Sequence, residues 1–168
     1  MYYSKIKFND VANGPGLRVS LFVSGCTHHC KGCFQPETWN FKNGDPFNTD
    51  TIEYIIKKSS SRYTSGLSLL GGDPLDNVDG ILPLLEEYRK IFGNTKTIWL
   101  WTGYTFEEVL EDHHKSKVLP FIDVIIDGQF VESCKDITLK YKGSSNQKVI
   151  DVQKSLSDDS IVLYTEEL

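Results

Sequence analysis

Cys26, Cys30 and Cys33 fall within eight positions in the run "SGCTHHCKGCF" (residues 24–34), and the remaining cysteine, Cys134, lies about a hundred residues away. Three thiols in so short a loop cannot all pair with one another. In a reducing compartment such a cluster points to metal rather than to disulfides. A tetrahedral zinc site wants four protein ligands, usually as two pairs from separate segments. No second pair exists here, which leaves His28, His29 or Cys134 open as a fourth ligand. A [4Fe–4S] cluster takes one thiolate per iron. Three thiolates would leave one iron free to bind a substrate or cofactor, much as a catalytic zinc keeps an open position.

The bland readings are set beside these. Cys134 sits in "VESCKD" without turn chemistry and reads as an ordinary free thiol. His28 and His29 read as loop side chains, because thiolates are the usual partners of iron–sulfur clusters. His113 and His114 fall near the end of an expected helix, where the helix dipole accounts for them.

These thiols need elements to position them. "GLRVSLFVS" (16–24) is rich in β-branched and apolar residues, follows the turn-like "NGPG", and reads as a strand delivering the chain into the cysteine loop. "PFNTDTIEYIIKKSSS" carries Ile52, Ile55, Ile56 and Ser59 at helical spacing, with Asp50 and Glu53 placed as a capping box. "SGLSLLGGDP" reads as a buried strand ending in a glycine turn. "NVDGILPLLEEYRKIFGN" carries an apolar stripe of Ile81, Leu84, Leu85, Tyr88 and Phe92 and a stop at Gly93. Pro83 restricts where that helix begins. "KTIWLWTGY" reads as a further strand, Thr105 and Glu108 cap a helix through "TFEEVLEDHHKSKVL", and "FIDVIIDGQF" is another buried strand. "KGSSNQK" (142–148) reads as a loop, and "SIVLY" as a last strand-like run.

Strands and helices alternate, and the strands are continuous apolar runs, which implies an α/β fold with a parallel sheet covered by helices. Eight such units need about 250 residues. A chain of 168 residues holds five or six, so an open, partial β/α barrel of about five to six parallel strands is expected. The cysteine loop, "GGDP" and "WTGY" each follow a strand directly and would share one rim, where α/β folds collect their chemistry.

Composition narrows the function. The net charge of −5 argues against a non-specific grip on nucleic acid. No apolar run approaches the roughly 20 residues of a membrane span. The opening "MYYSKIKFND" lacks the apolar core of a secretory signal, so a cytoplasmic location is expected.

The C-x3-C-x2-C spacing of Cys26, Cys30 and Cys33 resembles the motif of the radical S-adenosylmethionine (SAM) enzymes. Gly14, Gly16, Arg18, Phe22 and Gly25 of "GPGLRVSLFVSGC" resemble the signature of the glycyl-radical activating enzymes within that group, and "GGDP" (71–74) resembles its SAM-binding turn. Six segments ("NGPG", "LFVSGC", "SLLGGDPL", "IWLWTGY", "VIIDGQFV" and "KGSSNQKVID") look like the branch that acts on the anaerobic ribonucleoside-triphosphate reductase. The likeness runs from about residue 8 to about residue 150. Residues 1–168 then form a single radical SAM domain, with 151–168 as a C-terminal extension. Many superfamily members carry an aromatic residue just before the third cysteine. Here that place is Gly32 and Phe34 follows, an arrangement this branch shares.

The resemblance implies that Cys26, Cys30 and Cys33 hold a [4Fe–4S] cluster whose open iron chelates the amino and carboxylate groups of SAM. The reduced cluster would break a carbon–sulfur bond of SAM to give methionine and a 5′-deoxyadenosyl radical. That radical would take hydrogen from a backbone glycine of the reductase large subunit, the chemistry of a formate-C-acetyltransferase-activating type of oxidoreductase. An electron donor such as a flavodoxin-like protein is implied as a second partner. Gly71 and Gly72 would let the backbone approach SAM, and Asp73 would position its amino group or cap a helix. Gly32, Cys33 and Phe34 would meet the adenine. Thr102 and Tyr104 are weaker site candidates, and Trp99 and Trp101 read as core. Arg18 would neutralise the SAM carboxylate or the cluster, or else form a surface ion pair. Two rivals stand beside this reading: a zinc or iron–sulfur module without catalysis, and a radical SAM enzyme acting on a small molecule.

Overall fold

The computed structural model describes residues 1–166; residues 167–168, the end of the expected extension, lie outside the described residues. The chain runs through β1 (Tyr2–Asp10), β2 (Leu17–Val23), β3 (Asp45–Pro46), α1 (Thr49–Ser59), β4 (Thr64–Gly71) and α2 (Val78–Phe92). It continues through β5 (Thr97–Trp101), α3 (Phe106–Glu111), β6 (Val124–Asp127), β7 (Lys148–Asp151) and α4 (Val152–Asp158).

The strands form one open seven-stranded sheet in the order β3-β1-β2-β4-β5-β6-β7. Its centre, β2, β4, β5 and β6, is parallel. β1, β3 and β7 pair antiparallel at the two sides. The expected five to six parallel strands are thus corrected to four. The three flanking antiparallel strands carry no sequence signal of a buried strand, and β3 is only two residues long. β1 is a half-exposed strand with Lys5 and Lys7 in it, so it lacks the apolar run of a buried strand. β7 is four residues following a polar loop.

The sheet's two faces differ in chemistry because side chains alternate along each strand. One face carries Val19, Leu21, Leu67, Leu69, Ile98, Leu100 and Ile125, packed against α2 through Ile81, Leu84, Leu85 and Tyr88. The neighbouring registers Arg18–Gly66–Thr97 and Ser20–Ser68–Trp99 make the other face largely polar. Trp99 there packs with Tyr141 and Tyr164, whose rings lie 4.8 and 5.0 Å away. Tyr164 brings the last described residues across this face, yet "SIVLY" forms only an isolated bridge, Ile150 to Leu163.

Arg18 belongs to that polar face and is wholly buried. Its guanidinium donates to Ser68 Oγ (2.8 Å), Thr97 Oγ1 (2.9 Å) and the carbonyls of Pro15, Leu67 and Thr97. Burial lowers its pKa to about 10. Among the described residues it makes neither a surface ion pair nor a contact in the cleft described below; it is a core residue whose donors are all used.

Local signals explain most helix ends. Thr105 and Glu108 cap α3 as expected. α1, however, is capped by Asn48 and Thr51 rather than Asp50 and Glu53. α3 stops early because the Asp112 side chain takes the amides of His114 and Lys115, each at 2.9 Å, and starts a 3₁₀ segment at Lys115. His113 and His114 therefore lie beyond the helix. Pro83 sits well inside α2 on its exposed side, and the carbonyl it leaves unpaired, four residues earlier, belongs to the exposed Asp79. Among the described residues no helix is long and apolar enough to cross a membrane.

Gly66 faces Arg18, and a Cβ there would stand 1.9 Å from the Thr97 carbonyl oxygen and 2.7 Å from the guanidinium. Gly66→Ala must push β4 from β5, at a cost of about 3 kcal/mol. A thermal melt followed by circular dichroism should show the midpoint lowered by roughly 6–12 °C; an unchanged midpoint would refute the account of this face.

Candidate metal centre

β2 ends at Val23, and the chain then enters a loop through the three thiols to the 3₁₀ turn Pro36–Trp39. β4 runs beside it and ends at Gly71. The two strand ends are joined by short backbone bonds: Gly72 N to Val23 O at 2.7 Å and Asp73 N to Gly25 O at 2.8 Å. A Cβ on Gly72 would lie 2.6 Å from the Gly25 oxygen and 2.9 Å from that of Thr38, so only glycine fits beneath the cysteine loop.

The expected shared rim is present. The loops after β2, β4 and β5 meet around the Asp73 carboxylate, which is 1% exposed. It accepts from Leu75 N (2.9 Å), Thr102 Oγ1 (2.9 and 3.0 Å), Gly103 N (2.9 Å) and His28 Nε2 (2.7 Å). Its capping of the 3₁₀ turn Pro74–Asp76 is thus one bond among several. Asp76 works similarly, accepting from Thr27 N (2.9 Å), Thr27 Oγ1 (3.0 Å) and the Tyr104 hydroxyl. The hydrogen bond to Asp73 holds the His28 pKa above its ordinary value, against the opposing effect of burial.

Cys26, Cys30, Cys33, Phe34, Gly71, Gly72 and Asp73 all line one open cleft of about 560 Å³. Gly32 does not; it forms the exposed turn between the second and third thiols, its α-carbon facing the Glu132 side chain. Phe34 is largely exposed and packs on Phe130, with ring centroids 5.2 Å apart. Trp101 lines the cleft and donates its indole N–H to Tyr141 O at 2.6 Å, whereas Trp99 is core as expected. "KGSSNQK" is an ordered wall. Gln147 accepts from the amides of Gly143 (3.0 Å) and Ser144 (3.1 Å) and donates to Gly128 O (2.9 Å). Cys134 ends a separate 3₁₀ turn and does not line the cleft.

The donor set distinguishes metal types. Among the described residues, one set of three ligand atoms lies within 4.8 Å of one another: Cys26, His28 and Asp76. His28 and Asp76 there already have hydrogen-bond partners, and Cys30 and Cys33 fall outside the set. The three sulfurs therefore do not converge as a single tetrahedral zinc ion requires, with sulfurs about 3.8 Å apart. A cluster that takes each thiolate on a different iron does not require the sulfurs to converge so closely. Burial pushes the Cys26 thiol up to about 11, and burial together with Cys33 raises Cys30. Bound metal takes the thiolate, so loading must displace protons.

Residues 12–150 match the family described as a 4Fe-4S single cluster domain. Over 144 residues the chain is 42% identical to the anaerobic ribonucleoside-triphosphate reductase-activating protein of Vibrio cholerae, spanning 83% of this chain and 91% of that one. The protein of that name from Enterobacteria phage T4 is 41% identical over 151 residues, spanning 89% and 93%. The one from Escherichia coli K12 is 42% identical over 144 residues, spanning 83% and 92%. The chain belongs to this family of activating proteins.

The family match begins just before β2 and ends within β7, so it contains all three thiols and every rim loop. α4 and the strap that carries Tyr164 lie beyond it. Sequence reasoning weighed His28 only as a ligand or a loop side chain, took Gln147 only as part of a loop, and passed over Asp76. The one available signal was the second aspartate of "GGDPLD", three residues after the first, as one 3₁₀ turn spaces them.

Cys26→Ala, Cys30→Ala and Cys33→Ala should each lose most of the iron that the wild-type chain takes up on anaerobic reconstitution. Cys134→Ala should retain it. Iron and sulfide assays read the outcome, and equal loss in Cys134→Ala would make that residue a fourth ligand.

Proposed function

We propose that the chain is a radical SAM activase: with a [4Fe–4S] cluster it reductively cleaves SAM and generates a glycyl radical on the large subunit of the anaerobic ribonucleoside-triphosphate reductase. In this reading it is a single domain, its open sheet is the partial barrel of that superfamily, and its class is the formate-C-acetyltransferase-activating oxidoreductases. The reading is carried by three thiols, and no fourth, lining one cleft with space beside them. The names of its relatives supply the target. When bound, the cluster would supply one-electron reduction of SAM, the chemistry needed to remove hydrogen from a glycine of the reductase.

The chain's own part is to hold and orient. Cys26, Cys30 and Cys33 would hold the cluster by three of its irons, leaving the fourth free for SAM. The cleft of about 560 Å³ lies within the usual range for a small-molecule site, about 300–1,000 Å³. Gly71, Gly72 and Asp73 form the wall against which SAM lies. The Asp73 carboxylate, filled by protein donors, keeps that wall in register. Cys33 and Phe34 form the side toward the adenine, with Gly32 as the turn that presents them. A one-electron donor such as a flavodoxin-like protein completes the reaction, in the cytoplasm.

The reading is tested by anaerobic reconstitution followed by a strong reductant and SAM. Methionine and 5′-deoxyadenosine should appear in equal amounts, and Cys33→Ala should release neither. With the reductase added, electron paramagnetic resonance should show a glycine-centred radical. A cluster that forms and reduces but leaves SAM intact would sink the proposal.

A further inference from the structure

The cysteine loop is short of backbone support. Gly25 N bonds to Thr38 O and Cys26 N to Trp39 O, and the next such bond is Cys33 N to Cys30 O. Among the described residues, the amides of 27–32 reach no backbone carbonyl. Between the anchored Cys26 and Cys30, side chains must therefore hold the loop. Thr27 is held by Asp76 alone, apart from a long contact of 3.4 Å to the Tyr104 hydroxyl. His28 reaches further, because its ring touches the loops after β4, β5 and β6 together.

The contacts are specific. Nε2 donates to Asp73 Oδ2 at 2.7 Å, which requires that nitrogen to carry a proton, since a carboxylate only accepts. Nδ1 lies 3.1 Å from Gln129 Nε2. The ring packs edge-on to Tyr104 at 4.4 Å between centroids. It also fills the space over Gly103, where a Cβ would stand 2.6 Å from the imidazole. Both nitrogens are thus engaged by protein, and the side chain is 7% exposed.

We infer that His28 is a positioning residue, a wedge between the strand-end loops that sets Cys26 and Cys30 against the wall of the cleft. It acts through the thiols and is not itself a ligand. The SAM-dependent arm of the test rests on the proposed function; the thiol-reactivity arm does not.

His28→Leu keeps bulk but removes both hydrogen bonds, and His28→Gln restores a donor toward Asp73. In the apoprotein, iodoacetamide should alkylate Cys26 and Cys30 about tenfold faster in His28→Leu than in wild type, the change expected when the loss of two hydrogen bonds frees the loop. Cys134, read by mass spectrometry in the same sample, should be unchanged, and His28→Gln should return toward wild type. After reconstitution, His28→Gln should hold wild-type iron. In His28→Leu the spectrum and reduction potential of the reduced cluster should shift, and the SAM concentration for half-maximal spectral change should rise about tenfold. Wild-type alkylation rates and an unshifted spectrum in His28→Leu would overturn the inference. Loss of iron from both variants would also overturn it, by making His28 a ligand. If wild type itself shows no response to SAM, the proposed function fails while the alkylation result still decides the role of His28.

Discussion

The arrangement of the site depends on a buried negative charge. Asp73 is 1% exposed, and a carboxylate that deep is tolerated only when donors surround it. The donors come from its own turn (Leu75 N), from the loop after β5 (Thr102 and Gly103) and from the cysteine loop (His28). Solvating one charge therefore brings three loops together. Asp76, one 3₁₀ turn later, bonds Thr27 and Tyr104 and so joins the cysteine loop and the loop after β5 again. A parallel sheet delivers those loops to one rim, and the two carboxylates fix their spacing.

The opposite end of the sheet manages a buried positive charge differently. Among the described residues Arg18 has no carboxylate partner, and carbonyls and hydroxyls take all its donors. Gly66 makes room for it and Trp99 lies alongside, 5.8 Å from its guanidinium carbon. A face with Arg18, Ser20, Ser68 and Thr97 cannot seat an ordinary apolar helix. It is covered instead by Tyr141 and Tyr164, amphipathic rings that reach it from the loop before β7 and from the segment after α4. That polar face is continuous with the cleft through Phe22, Leu70 and Trp101, further along the same strands.

Much of this was legible in the sequence, and the exceptions share a cause. Strands buried on both faces announce themselves as apolar runs, so β2, β4, β5 and β6 were found, with their loops on one rim. The stripe on α2 was read correctly because Ile81, Leu84, Leu85 and Tyr88 pack onto one surface, and all four are fully buried. β1, β3 and β7 were missed because β1 is half-exposed and the two edge strands β3 and β7 are only two and four residues long, so none carries such a run. The α1 cap was misplaced by two residues because Asp50 and Glu53 match the usual capping pattern, whereas the residue three after Asn48 is Thr51 and not a glutamate or glutamine. The thiols were evident from spacing. Arg18 and His28 were not, because each is explained by partners far away in sequence: Thr97 for one, Asp73 and Gln129 for the other.

The spacing of the thiols carries one more constraint. Positions 26, 30 and 33 stand at i, i+4 and i+7, which on an α-helix would put them in one stripe. Seven residues of helix rise about 10 Å, so such a stripe would string the sulfurs out along an axis rather than around a centre. The loop avoids this through two residues with positive φ, His29 at 50° and Gly32 at 77°, one in each interval between cysteines. Gly32 takes that conformation freely. His29 carries a penalty of about 1–2 kcal/mol for it, and its ring lies stacked on Trp39 at 4.4 Å, nearly parallel. Left-handed turns curl the backbone so that all three thiols face one cleft. The same curl deprives the loop of helical hydrogen bonds, which is why Thr27 and His28 must be held by the aspartates of the neighbouring strand end.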